Sequence, residues 1–252
     1  MEKPLSYKEL SSKVELINKR QYDYDLPFLD VVDQVLDESE GKHVKNVLAE
    51  AFEKLLSQVS TEVNKIEDEV SLKSSCTLGC AQCCFLPIVI TRLEAKLMLM
   101  FINQMDKERK KQVLNQVSAY IDKYSSLLSD VKQIDFKKDD AYKIKYKQLG
   151  IPCVFLDQKT NSCMVYEIRP ISCRTYVNYV DASVCSNEYL PKEPLNFEFM
   201  QRFYVQGMDE VIQEILEVVE GKSLGFSYPD DAAEVNYLPL LLQEELDALL
   251  NR

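Results

Sequence analysis

Four cysteines crowd into nine residues, Cys76-Thr-Leu-Gly-Cys80-Ala-Gln-Cys83-Cys84, with the spacing C-x3-C-x2-C-C. Thiolates at this density suit Zn²⁺, which takes four sulfurs at about 2.3 Å, or an iron–sulfur cluster ligated by cysteine. The competing explanation is a chance cluster of small buried hydrophobes, and the density counts against it. Gly79, beside Cys80, predicts a positive φ that would turn backbone N–H groups towards sulfur. Adjacent Cys83 and Cys84 diverge by about 100° in a helix and point to opposite faces when extended. Both reach one ion only through a strained loop. A polynuclear centre, or two neighbouring sites, removes the difficulty, and the chain's eight cysteines supply two four-thiolate sets.

A second block lies downstream. Cys153-Val-Phe-Leu-Asp157 and Cys163-Met-Val-Tyr166 are short β-prone runs around a polar turn, which predicts a β-hairpin. If each cysteine begins its strand, Cys153 and Cys163 sit at opposite ends of the pair, about 10 Å apart, and serve different metal atoms. Cys173 follows Arg169-Pro170, and Cys185 follows Asp181-Ala-Ser. Buried hydrophobic cysteine competes with ligation at all four positions, most strongly at Cys185. Arg92, Arg169 and Arg174 are candidate cations to offset thiolate charge, although Arg92 reads equally well as a surface arginine.

Other chemistries have little support. The single histidine, His43, stands in a lysine-flanked helical stretch and reads as an exposed helix residue. The six glycines form neither GxGxxG nor GxxxxGK, so a Rossmann domain or P-loop is not supported. The formal net charge is −11, and residues from Gly207 onward hold −9 of it, from eleven acids against Lys222 and Arg252. That balance argues against phosphate binding and nucleic acid as a partner. It is compatible with a basic protein partner or substrate, though a solvated helix face is the simpler reading.

The longest apolar runs, Cys83–Ile90 and Leu97–Ile102, fall far short of the roughly 20 residues that span a bilayer, so no membrane partner is expected. The start of the chain runs into a charged amphipathic stretch without an apolar signal core. A cytoplasmic location is therefore expected, where structural disulfides are rare and metal ligation better explains eight cysteines.

The elements that must hold these residues read as helices. Phe28, Val31, Val32 and Val35, with Pro27 in the first turn, predict one; Val44, Val47, Leu48, Phe52, Leu55, Val59 and Val63 predict the next. Gly41 marks a turn near Glu38–Lys42. Thr91 and Glu94 form a capping box that starts a helix through Phe101. Further helices are expected over about 106–130, 203–219 (ended by Gly221) and 238–250. The fold class is mainly α: a single domain over 1–252, with N-terminal helices (1–73), a cysteine-rich metal-binding region containing a short β-hairpin (74–187), and acidic C-terminal helices (188–252).

Two blocks together carry a resemblance. They are Cys76-x3-Cys80-x2-Cys83-Cys84 with Pro87–Ala95, and Pro152-Cys153-x-Phe155-Leu156 with Cys163-x-x-Tyr166-Glu167-x-Arg169-Pro170-x-x-Cys173-Arg174. Over about residues 74–187 they resemble the YkgJ-type cysteine-cluster family, a zinc- or iron-chelating domain that includes the flagellin lysine N-methylase. The first spacing differs, being C-x3-C where the family has C-x2-C. The resemblance implies that the two blocks meet around a shared metal region, with Cys153, Cys163 and Cys173 as ligands and Cys185 less firmly so. Tyr166, Glu167, Arg169 and Arg174 carry over as motif positions without roles; Tyr166 can pack beside the hairpin.

Methylase activity does not follow from these residues, because no glycine-rich S-adenosylmethionine loop is found. The C-x3-C-x2-C spacing of radical S-adenosylmethionine enzymes is present, but Gln82 stands where those enzymes place an aromatic residue, and no barrel pattern accompanies it. Three functions stay open: a metal-binding protein holding an iron–sulfur cluster or zinc, a protein-modifying enzyme such as a lysine N-methylase, and a zinc-stabilised interaction scaffold. Whether the chain is an enzyme is left open.

Overall fold

The computed structural model describes residues 4–187, 195–218 and 224–250. In chain order the helices begin with α1 (Tyr7–Asn18), α2 (Asp25–Asp37) and α3 (Val44–Glu69). A 3-10 turn (Gln82–Phe85) and strand β1 (Val89–Thr91) lead into α4 (Arg92–Gln104), α5 (Lys107–Val131) and α6 (Tyr142–Gln148). The hairpin β2 (Leu156–Asp157) and β3 (Ser162–Cys163) precedes a 3-10 turn (Tyr166–Ile168), α7 (Ile171–Thr175), β4 (Tyr176–Val177) and α8 (Val184–Asn187). Then come β5 (Leu195–Asn196), α9 (Met200–Val218), α10 (Asp230–Ala233), β6 (Val235–Tyr237) and α11 (Leu238–Leu250). The fold is mainly α, with strands of two or three residues. Gly221, the expected stop of the helix over 203–219, lies outside the described residues.

The chain divides into two compact units, each assembled from separate segments: Met1–Cys80 with Glu167–Gly221, and Ala81–Tyr166 with Lys222–Arg252. In the first unit, α3 packs with α2 and α9. Apolar stripes read from the sequence supply much of its core, with Phe28, Val32 and Val35 from α2 and Leu48, Phe52, Leu55 and Val59 from α3; Tyr204, Met208 and Ile212 of α9 complete it. Gly207 lets α9 come close to α3, since a Cβ there would lie 2.9 Å from a terminal methyl of Leu55. The turn between α2 and α3 forms where Gly41 takes φ +75. His43 is exposed, as expected, but it precedes the helix: its Nδ1 accepts the Lys45 N–H at 3.2 Å and caps α3.

The second unit is organised by a pairing that local sequence patterns do not reveal. Strand β1 runs antiparallel to β6, with Val89 opposite Tyr237 and Thr91 opposite Val235. The expected capping box forms at the start of α4: Thr91 Oγ1 accepts the Glu94 N–H at 3.0 Å, and the Glu94 carboxylate accepts the Thr91 N–H at 2.8 Å. Arg92 then grips the C-terminal segment. Its guanidinium donates to Glu234, Glu244 and Glu245 at 2.5–2.6 Å, and Lys96 pairs with Asp231 at 2.6 Å. These carboxylates, Glu234 foremost, hold the Arg92 guanidinium firmly charged. The structure thus accounts for Arg92 as a clip between α4 and the β6–α11 segment.

Candidate metal centre

In the second unit, Cys83 and Cys84 share a single 3-10 turn, held by the Cys84 N–H to the Ala81 carbonyl and the Leu86 N–H to the Cys83 carbonyl, both at 3.0 Å. At three residues per turn, neighbouring side chains leave the axis about 120° apart. The pair therefore diverges, as its adjacency implied. The Cys84 carbonyl accepts the Cys153 N–H at 2.6 Å, which ties the first cysteine block directly to the second.

The hairpin exists but is shorter than its sequence suggested, and this reverses one expectation. Cys153 lies before β2, closing a turn in which the Leu156 N–H donates to the Cys153 carbonyl at 3.0 Å. Cys163 ends β3, opposite Leu156. Both cysteines therefore belong to the open end of the hairpin. The cause is the size of the turn. Asp157 accepts the Lys159 N–H at 2.9 Å and the Thr160 hydroxyl at 2.8 Å, and Asn161 takes φ +52. These bonds hold the Asp157 carboxyl below its usual range, the Lys159 amide contributing most. Residues 158–161 are thereby consumed in the turn, leaving two residues per strand.

Helix α5 braces this segment. Arg109 donates to the Met164 carbonyl at 3.2 Å, and Gln116 Nε2 donates to the Val154 carbonyl at 3.3 Å. One turn further on the same face stands Tyr120, only 3% exposed. Burial pushes its phenol far up, and the charges of Tyr146 and Cys153 add to this. Tyr146, buried on α6, is raised in the same way, by burial and then by Cys153.

In the first unit, the approach to Cys76 is clamped by Asn178. The Ser75 N–H donates to the Asn178 carbonyl at 2.8 Å, and Asn178 Nδ2 donates to Ser75 Oγ at 2.6 Å. Tyr179 follows, its hydroxyl donating to the Glu67 carboxylate at 2.6 Å. Burial raises the Tyr179 phenol, with Glu67 and then Cys76 adding to the rise. Gly79 adopts φ +88 as its position required, in the turn where the Cys80 N–H meets the Thr77 carbonyl at 3.0 Å. This turn lifts Leu78 into solvent, 94% exposed. Cys173 sits in α7 and Cys185 in α8, both half-buried.

None of the eight cysteines is in a disulfide. Among the described residues, no three His, Cys, Asp or Glu side chains stand together as a ligand set. The donor chemistry nevertheless fits a thiolate-bound metal, since zinc and iron both accept all-sulfur coordination.

Residues 75–193 match the family model CxxCxxCC, described as a putative zinc- or iron-chelating domain. Over these residues the chain is similar to that domain. No solved structure matches the chain. The CxxCxxCC match takes in all eight cysteines, and it extends the resemblance read from the two motif blocks by only a few residues.

Within the matched residues, Arg174 has a clear task. It is 7% exposed, and its guanidinium donates to the Arg169 carbonyl at 3.0 Å, to the Glu167 carbonyl, and to Ser60 Oγ on α3 at 2.8 Å. It braces the loop that delivers Cys173. Tyr166, by contrast, is 54% exposed, so it is not packed away beside the hairpin. The domain residues that sequence reasoning passed over are Asn178, Tyr179, Tyr120 and Tyr146. Tyr120 falls within the helix expected over about 106–130, and its spacing there gives it no role beyond packing. Asn178 and Tyr179 stand in a stretch without periodicity, and nothing local marks them.

Proposed function

We propose that the CxxCxxCC domain is a metal-holding module whose thiolates, drawn from Cys76, Cys80, Cys83, Cys84, Cys153, Cys163, Cys173 and Cys185, bind an iron–sulfur cluster or zinc. The observation that carries this reading is the hydrogen bond from the Cys153 N–H to the Cys84 carbonyl. It joins two cysteine blocks that lie far apart in sequence, and Cys163 belongs to the same end of the hairpin. A disulfide framework would give another reason for such convergence, but no disulfide joins these cysteines in the structure.

An iron–sulfur cluster is the expected form. Two thiols diverging from one 3-10 turn serve different metal atoms more readily than one. Such a centre supplies electron transfer or sensing, whereas zinc would supply structure or metal handling. The chain's own contribution is to hold the thiolates, to keep donors such as the Cys153 amide committed to the backbone, and to limit solvent at the half-buried cysteines. Metal uptake is expected to complete the ligand set, so that binding and folding are coupled.

Anaerobic purification, followed by metal and sulfide analysis with a visible spectrum, tests the proposal. A brown protein containing iron and sulfide is the expected result. Colourless protein with stoichiometric zinc would replace the cluster by zinc while keeping the module. Protein without stoichiometric metal would end the reading.

A further inference from the structure

We propose that Asn178 is a positioning residue for metal binding: it fixes the chain at Ser75 and at Val180–Asp181, and so sets where Cys76 and Cys185 are delivered. The inference rests on the metal-holding role above and assigns a task to a residue outside the cysteine motifs. All the groups involved belong to the first unit. The Ser75 N–H and hydroxyl both donate to the Asn178 carbonyl, at 2.8 and 3.0 Å, and Asn178 Nδ2 donates back to Ser75 Oγ at 2.6 Å. The same Nδ2 donates to the Val180 carbonyl at 3.0 Å and the Asp181 carbonyl at 3.4 Å. From Asp181 the chain turns directly into α8. The Asp181 carboxylate accepts the Ser183 N–H at 2.8 Å, its carbonyl accepts the Val184 N–H at 3.2 Å, and Cys185 follows.

Two observations set this clamp apart from ordinary packing. Past Ser75 the loop makes local bonds: the Cys76 N–H meets Ser74 Oγ and the Cys80 N–H meets the Thr77 carbonyl, while both cysteines are exposed. Among the described residues, Ser75 is thus the last tie to a distant part of the chain before Cys76. Asn178, in turn, is 4% exposed, yet its Oδ1 has no donor. The Val180 and Asp181 carbonyls can only accept, so they fix which way the carboxamide faces. A buried oxygen left unpaired destabilises the fold, and here that cost accompanies an Nδ2 that grips three acceptors at once. Tyr179, next in the chain, anchors the clamp to Glu67 on α3 at 2.6 Å. Ligands held in place before the metal arrives bind it more tightly, because less ordering remains to be done.

The test uses the full-length chain, reduced and metal-free, titrated anaerobically with zinc(II) against a chromophoric chelator at a temperature where every variant compared is folded. Asn178→Ala is expected to weaken zinc binding by about tenfold, the lower end of what outer-sphere partners contribute. It should also lower the melting temperature of the metal-free chain by about 2–4 °C. Val59→Ala, in the buried core of α3, should lower that temperature at least as much while leaving zinc affinity unchanged. Ser75→Ala, at a half-buried position, should weaken zinc binding by a smaller factor with little change in melting. Unchanged affinity in Asn178→Ala overturns the inference. So does an equal loss in Val59→Ala, because affinity would then follow stability alone. Should Asn178→Ala fail to fold, Ser75→Ala decides, and unchanged affinity there overturns the inference. If the wild-type chain takes up no zinc or iron, the metal-holding reading itself fails, and this is seen before any variant is compared.

Discussion

Serine at Cys84 or at Cys153 is expected to remove stoichiometric metal from the purified protein and to lower its melting temperature to that of the metal-free wild type. Serine preserves size, and the backbone bond that joins Cys153 to Cys84 uses neither side chain. What is lost is the thiolate. Thiolate-bound structural metals contribute about 10–16 kcal/mol of apparent binding energy, so each of four ligands carries about 3 kcal/mol, or more than 100-fold in affinity. The metal-free serine variants should melt within a degree or so of the metal-free parent. Metal analysis beside thermal melting with and without chelator checks both halves of this result. A variant that keeps full metal content would remove that cysteine from the ligand set.

Arg174→Ala should be the most destabilising change outside the cysteines. The guanidinium is buried and satisfies two backbone carbonyls, of Glu167 and Arg169, together with Ser60 Oγ on α3. Truncation strands both carbonyls and opens a cavity, and together these cost about 3 kcal/mol or more. For a chain of this size that is a fall of about 6–12 °C in melting temperature. Arg174→Lys should recover only part of the loss, because an ammonium lacks the planar fork that spans three acceptors. Thermal melting measures the total. Hydrogen exchange localises it, with the largest loss of protection expected at the amides of 167–175.

These expectations rest on features that differ in how readily the sequence discloses them. Local ones were legible. Thr91 and Glu94 announced the start of α4, and the apolar repeat from Val44 to Val63 announced α3. Leu238–Leu250 was bounded as the structure bounds it, and Gly79 marked a left-handed turn. Each depends on residues within a few positions of one another. The hairpin was legible in kind but not in register, because its outcome depends on how many residues the Asp157-capped turn consumes. A change there moves Cys163 from one end of the pair to the other.

Long-range pairing was not legible. Nothing local in Val89–Thr91 indicates Val235–Tyr237 as its partner, and so Arg92 could be read as a cation near the thiolates when it is bound by Glu234, Glu244 and Glu245. Arg174 shows the other side of the same limit. Its motif position was visible, while its role depends on carbonyl groups and on Ser60, which sequence motifs do not encode.

The central claim is that cysteine sulfur holds the metal, and X-ray absorption at the metal edge of the anaerobically purified chain tests it most directly. The account predicts a first shell made of sulfur alone, at about 2.3 Å, with an additional metal–metal distance if the centre is polynuclear. A first shell dominated by nitrogen or oxygen would contradict it.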